Sequence, residues 1–324
     1  MANGNNVIAQ LAIESTYGVA PTMVKQVRIA SEGFKWTPEK KDEGLLTGGK
    51  STGRVYTMSV KSEGSLSTNV RPDEAGYWIG SALGIEASPT LVVGSTGAYK
   101  HSFTAAGASE PTPSLSVVID RIVAAYAYIG LKVNTLAFSA QPGDYLKLDL
   151  NLIGKDETTG TVQTGLTVSP LKPFRFSNAS VKIGGVTVAD VTSIKFDYNN
   201  NLDSSLQTTS TGLYFKEPQV GARDIKVDLE VVYSSESDAI RSSYFKTDDD
   251  VAVEINFVSD EEIEAGFPYS MKISIPHSQI TDASPANAGG ADTLKQSISL
   301  KAIEEGIDQL ITIDLVNGLQ TQYV

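Results

Sequence analysis

The chain has no cysteine and only two histidines, His101 and His277, in 324 residues. The first absence excludes disulfides, zinc-thiolate centres and thiol nucleophiles. The second excludes a His-rich metal centre and leaves a histidine-based triad two candidates. Lys100-His101-Ser102 opens one strand-like segment and Pro276-His277-Ser278 closes another, so both histidines read as solvent or edge residues rather than general bases. Positive charge is scarce as well: 26 Lys and Arg against 38 Asp and Glu give a net charge of -12. Gripping nucleic acid relies on Lys and Arg displacing counterions from phosphates, so this balance argues against DNA capture and suits a surface that DNA slides past. No apolar run approaches the ~18 residues of a membrane-spanning helix. The opening Met-Ala-Asn-Gly-Asn-Asn has neither the basic flank nor the apolar segment of a secretory signal, so synthesis in a cytoplasm is expected. Carboxylates form no D-x-D-x-D-G calcium loop, and the aromatics, 8% of the chain, fall mostly inside strand patterns, which disfavours a carbohydrate-binding module.

What is present is an ordinary globular composition, 41% hydrophobic and 20% charged, over a length that suits two domains of about 150 residues. The second half reads as a loose copy of the first, displaced by about 160 residues. In the first half an extended run, 34–38, leads into a Gly-rich loop holding Gly44, Gly48, Gly49 and Gly53 and then into a strand at 55–70. A short helix follows, with Ala75, Trp78, Ile79, Ala82 and Leu83 on one amphipathic stripe, Pro72 in its first turn, Asp73 and Glu74 at its positive end and Gly84 to stop it. In the second half, 194–198 leads into a loop with Gly212 and Gly221, then an alternating strand at 225–233, then a helix within 235–246 carrying Glu236 and Asp238 early and Ala239, Ile240 and Tyr244 as its stripe. The Thr- and Gly-rich stretch 155–165 is the natural linker, giving units 1–165 and 166–324.

Most remaining segments are strands: 115–120, 126–138, 145–153, 251–258, 269–275, 294–302 and 310–316 are rich in Val, Ile, Leu, Tyr or Phe. Leu146, Leu148, Leu150 and Leu152 face one way and Lys147, Asp149 and Asn151 the other, as in a half-buried antiparallel strand. Gln141 to Asp144 marks a turn, and Gly184-Gly185 a hairpin within 181–188. The fold class is therefore mainly β, two sandwiches or barrels each with a short flanking helix. Asp248 to Asp250 and Asp260 to Glu262 read as solvated loops.

One sharp motif competes with this reading. Gly44-Leu45-Leu46-Thr47-Gly48-Gly49-Lys50-Ser51 fits G-x-x-x-x-G-K-[ST], a phosphate-binding loop, and Asp120 at the end of 115–120 fits a magnesium ligand. That loop needs a buried strand before it and a helix after it, whose amides hold the phosphates. Here Glu39-Lys40-Lys41-Asp42-Glu43 precedes it and Val55-Tyr56-Thr57 follows, too polar for a central parallel strand and too strand-like for a helix. No cofactor, metal or catalytic residue is assigned.

With these residues in view, the chain resembles the tail tube, or major tail, proteins of long-tailed bacteriophages. Ile13-Glu14-Ser15-Thr16-Tyr17-Gly18-Val19-Ala20-Pro21 is similar to their E-x-T-Y-G-x-x-P signature. His101-Ser102-Phe103-Thr104, Pro113-Ser114-Leu115-Ser116-Val117, Tyr126 to Asn134, Pro173 to Val181 and Asn199-Asn200-Asn201-Leu202 follow in order. The resemblance implies two tandem tail-tube-like β units in a virion structural protein, not an enzyme, that self-assembles into stacked rings through which DNA is ejected. Its partners would be copies of itself, a tape-measure protein and tail-tip or terminator proteins. DNA would pass the lumen unbound, and no membrane is involved. A chain with two units makes the six-fold wall as a trimer, which is favoured, with a hexamer the alternative; a sheath or baseplate protein is the nearest competitor. The long loops 42–57 and 203–224 are the expected interface elements, ordering against an adjacent subunit or ring, with Asp42, Leu45, Leu46, Lys50, Arg54, Tyr56, Leu206, Leu213, Tyr214, Phe215 and Arg223 as candidate contacts. The N-terminal arm and residues 320–324 are further stacking candidates.

Overall fold

The computed structural model describes residues 6–44, 53–107, 110–284, 293–305 and 309–324. The first half contains β1 (Ile8–Ile13), β2 (Lys25–Val27), β3 (Ser31–Glu32), β4 (Lys35–Asp42), β5 (Val55–Asn69) and helix α1 (Ala75–Leu83). It continues with β6 (Gly84–Glu86), β7 (Thr90–Leu91), β8 (Tyr99–Ala105), β9 (Leu115–Asp120), β10 (Ala125–Ala140), β11 (Lys147–Gly154) and β12 (Asp156–Thr159). The second half contains β13 (Ala179–Ile183), β14 (Val186–Val188), β15 (Val191–Asn199), β16 (Asp224–Val232) and α2 (Ser235–Ile240), then β17 (Val251–Glu264), β18 (Phe267–Asp282), β19 (Lys295–Ala302) and β20 (Thr312–Asn317).

The protein is mostly β, and all these strands pair antiparallel. In the first half β2 pairs with β1, β1 with β9, β9 with β10, β10 with β11 and β12, β11 with β5, and β5 with β3 and β4. In the second half β14 pairs with β13, β13 with β17, β17 with β18, β18 with β19 and β20, β19 with β16, and β16 with β15. Two ladders join the halves, β10 to β15 and β8 to β20. A single apolar cluster runs through both, from Leu11, Trp78 and Phe103 to Phe257, Ile273 and Leu315. Where β10 meets β15, Phe138 and Phe196 stack at 5.9 Å.

Local sequence explains most elements. Along β11 the leucines are buried and Lys147, Asp149 and Asn151 exposed, the alternation of a one-sided strand. Gly184 and Gly185 take φ of 58° and 78°, the two left-handed residues that a tight hairpin requires. Ser234 caps α2 by accepting from the Ser237 amide while Ser237 Oγ accepts from the Ser234 amide, one residue ahead of the expected start. Gly84 ends α1 at φ 105°.

Other expectations change. α1 is buried nearly all round, not on one stripe: Gly76, Gly80 and Ser81 are covered along with Trp78 and Ile79. Pro72, Asp73 and Glu74 form the turn ahead of the helix rather than its first turn. The strand before the Gly-rich loop continues through Glu39-Lys40-Lys41 to Asp42, which pairs with Val55. Its charge masked it, because a strand solvated on both faces needs no apolar alternation. Part of the expected linker is β12, and Asp260 to Glu262 lie inside β17. His101, read as a solvent or edge residue, is fully buried: its ring meets Glu86 Oε1 at 2.7 Å and the Leu319 carbonyl at 3.0 Å.

Candidate functional site

β4 and β5 form a hairpin whose outer part, Glu39–Asp42 against Val55–Ser59, extends past the body of the sheet. Val55, Tyr56 and Met58 on this arm are 57%, 43% and 44% exposed, an uncommon run for apolar residues in one short strand segment. The ladder slips between Thr57 and Ser59, leaving Met58 as the extra residue of a bulge that bends the arm.

Beside the arm lies the connection from β15 to β16. It folds onto itself through bridges Asp203–Gln219 and Gln207–Phe215, with the Lys216 amide donating to the Leu206 carbonyl at 2.8 Å. It then docks on β5. The Val60 amide donates to the Leu213 carbonyl at 2.9 Å, and Gln207 Nε2 donates to the Met58 carbonyl at 3.2 Å. The Tyr214 hydroxyl donates to Asp156 Oδ2 at 2.9 Å, a bond that raises the phenol pKa, and the Lys155 ammonium lies 5.8 Å from the ring centroid. Leu206 and Leu213 remain 53% and 47% exposed. The result is one surface, contributed by both halves, with five exposed large apolar side chains held by backbone pairing.

Of the residues picked from sequence, Tyr56, Leu206, Leu213, Tyr214 and Phe215 come together on or behind this surface. Asp42 closes the described part of the arm, where its carboxylate accepts from the Gly44 amide at 3.2 Å, and Arg54 is exposed just before β5. Leu45, Leu46 and Lys50 lie outside the described residues. Arg223 stands apart at the far end of the connection, donating to Asn200 Oδ1 at 3.3 Å beside a cavity of about 970 Å³ that Lys132 also lines. Sequence reasoning missed Val55 and Met58, although their alternation with Tyr56 and Thr57 in a segment already read as strand was a usable signal. As for the phosphate-loop motif, most of it lies outside the described residues. Among the described residues its flanks are the antiparallel pair β4 and β5, with no helix following to present amides to a phosphate.

Two other polar clusters have distinct chemistry. Glu14, 7% exposed, accepts from Ser114 Oγ at 2.7 Å, Ser116 Oγ at 2.6 Å and the amides of Gly18 and Gly130, each at 2.7 Å. Four donors on one buried carboxylate make a clasp between the N-terminal strand, β9 and β10. In the second half Asp250, His277 and Glu305 bring one ligand atom each within 4.8 Å of one another, a set chemically able to hold a divalent cation. Asp250 and Glu305 are exposed there, and Asp250 Oδ2 lies 2.5 Å from His277 Nδ1, already an ion pair when the imidazole is protonated.

Five of the exposed large apolar side chains of this β-sheet body gather on a projecting arm and the loop docked beside it, an exposed patch of the kind that marks a contact surface. The chain belongs to the phage tail tube protein family, whose model matches residues 4–302. It is thus a structural component of a phage tail. A search of curated proteins returned no match. Among the described residues no helix is long and apolar enough to cross a membrane.

Proposed function

We propose that this protein self-assembles into rings that stack into the tail tube, and that the tube bore is the conduit for DNA ejected into the host. The observation that carries the proposal is the apolar surface built from Val55, Tyr56, Met58, Leu206 and Leu213, which lies on backbone-paired elements rather than on a loose loop. Burying such side chains is worth roughly 1.5–3 kcal/mol each, enough for several together to drive a subunit or ring contact. Head-to-tail contacts that close by rotation give a ring, and a second contact along the axis repeats without limit.

The chain supplies two tube units, divided near residue 165, so that three chains make a six-unit ring; six chains are the alternative. The support is the strand-pairing order, which recurs from β1–β12 to β13–β20 with each short helix after the corresponding strand. The net charge of -12 suits a bore that DNA passes without sticking. A tape-measure protein inside the tube and terminator or tip proteins at its ends complete the partner set, in a virion tail assembled in the host cytoplasm. Negative-stain electron microscopy at rising protein concentration tests the proposal: rings or striated hollow tubes are expected, and a monomer at every concentration, with or without a tail-tip nucleus, overturns it.

A further inference from the structure

The ring proposal leaves open which edges meet, and the internal repeat of pairing identifies them. Leu66 opposite Leu150 in β5–β11 corresponds to Leu229 opposite Ile298 in β16–β19. Both following ladders then skip one residue at the same place: Val133 to Thr135 in β10, and Ile280 to Asp282 in β18. This shared irregularity fixes the correspondence, so Thr135, Leu136 and Ala137 match Asp282, Ala283 and Ser284. On the other strand Tyr198 faces Ile225 as Trp36 faces Ser62, so Asp197, Tyr198 and Asn199 match Lys35, Trp36 and Thr37.

Within the chain the first set pairs with the second across β10–β15: Thr135 with Asn199, Leu136 with Tyr198, Ala137 with Asp197. Among the described residues their counterparts lie in no such ladder, although the Trp36 indole N–H donates to Asp156 Oδ1 at 3.1 Å. Among the described residues β4 pairs only with β5, and past Ser278 the edge of β18 opposite β19 carries no partner. The consequence shows in one side chain. Tyr198, covered by the internal joint, is fully buried, whereas Trp36 at the matching position is 42% exposed.

We propose, resting on the ring reading above, that β4 of one chain pairs antiparallel with residues 282–284 of a second copy. Thr37 then stands opposite Asp282, Trp36 opposite Ala283 and Lys35 opposite Ser284, repeating the internal joint between molecules. By the register of the internal joint, Trp36 with Ala283 is the hydrogen-bonded pair and the two flanking pairs are not; the Ala283 carbonyl, which in the single chain is buried and accepts from Gln296 Nε2 at 3.1 Å, must turn to the neighbour's Trp36 amide. At the next position the internal joint uses the Asn200 amide, which donates to the Asn134 carbonyl at 2.8 Å; its counterpart Pro38 has no N–H, so the intermolecular ladder begins at Thr37. Each chain has one edge of each kind, so the contact is head-to-tail and closes only as a ring.

A chain without cysteine permits a clean test. Directly opposed residues in an antiparallel pair lie within disulfide reach, about 4.5–5.5 Å between Cα atoms. The double variants Thr37→Cys with Asp282→Cys, and Lys35→Cys with Ser284→Cys, are assembled, oxidised and run without reductant. Intermolecular disulfides, absent from the single-cysteine variants and from a displaced pair, Lys35→Cys with Gln279→Cys, are expected. Rings visible by microscopy in which neither matched pair links overturn the joint and leave the ring reading standing, while failure to form rings at all sinks both. Tryptophan emission gives a second readout, since Trp78 is 1% exposed. Quenching by acrylamide in the free chain comes from Trp36 and is lost in rings; quenching that persists in rings overturns the joint.

Discussion

The polar residues that matter most to the single chain are buried carboxylates with saturated acceptors. Glu14 satisfies two amides and two hydroxyls, so truncation to Ala leaves four donors without a partner. Leaving a buried donor without a partner costs about 1–3 kcal/mol, and a urea titration of Glu14→Ala is expected to show a fall at the upper end of that range or beyond, with Glu14→Gln intermediate. Glu32 works differently. Burial raises its pKa, but the two-pronged bond from Arg121, 2.9 and 2.8 Å, and the Phe34 amide outweigh burial and hold it below the usual carboxylate range. A depressed folded pKa means the stabilisation is present above the unfolded value of about 4.3 and is lost as pH falls through the folded value. Unfolding monitored from pH 7 downward should therefore show an acid-side loss that Glu32→Gln flattens; an unchanged acid limb would contradict this assignment. The E-x-T-Y-G pattern named the Glu14 position from sequence and holds one of its donors, the Gly18 amide, but the other three, from Ser114, Ser116 and Gly130, come from 100 or more positions away. His101 was misread because its partners lie outside its own segment, Glu86 15 residues before it and the Leu319 carbonyl 218 after it.

Elements show which patterns a linear sequence carries. β11 was legible because one face meets the core and the other water. β4 was legible only as far as Pro38, because Glu39, Lys40 and Lys41 beyond it meet water on an edge where backbone pairing and the Ser59–Glu39 bond, not a core, hold the strand. α1 gave its stripe but hid its opposite face, which is covered by residues from the far end of the chain. A Cβ on Gly76 would lie 2.3 Å from the Tyr323 ring, and one on Gly80 would lie 2.7 Å from Val324 Cγ1. Tyr323 cannot easily give way. Its amide donates to Glu86 Oε2 at 2.6 Å, and its hydroxyl accepts from Asn317 Nδ2 at 2.7 Å. Gly76→Ala gains about 1 kcal/mol of helix propensity but forces an overpacked contact that typically costs 1–3 kcal/mol. Packing is expected to win: the variant melts lower than the parent, and carboxypeptidase removes the C-terminal residues faster. Equal melting and equal digestion would show that the tail does not rest on the helix in solution.

At the scale of the whole molecule, the family was legible as a series of short motifs and the proposed duplication rests on an order of elements, but the spatial neighbourhood of the two long connections was only partly so. The two long connections were named separately; that Val60 and Leu213 bring them together depends on a long-range bond no local pattern encodes. The closing argument concerns number. Replacing Trp36 with Lys puts a charge where a neighbour's strand must pack, at a site already 42% exposed and beside Asp156, whose Oδ1 accepts from the indole N–H at 3.1 Å and can accept from an ammonium instead, so the single chain should lose little stability. Such a chain keeps its other edge intact and can join a growing ring without closing it. When variant and parent are mixed in equal amounts before assembly, a ring closes only if every member is parental. For three chains that leaves about one ring in eight of the random combinations, and for six about one in sixty-four. The yield of closed rings against the mixing fraction, counted in end-on micrographs, thus reads the number of chains per ring as the exponent of the curve. An exponent near three is expected from two units per chain; an exponent near six would mean that each chain contributes a single unit to the wall, and no dependence on the variant would remove Trp36 from the contact.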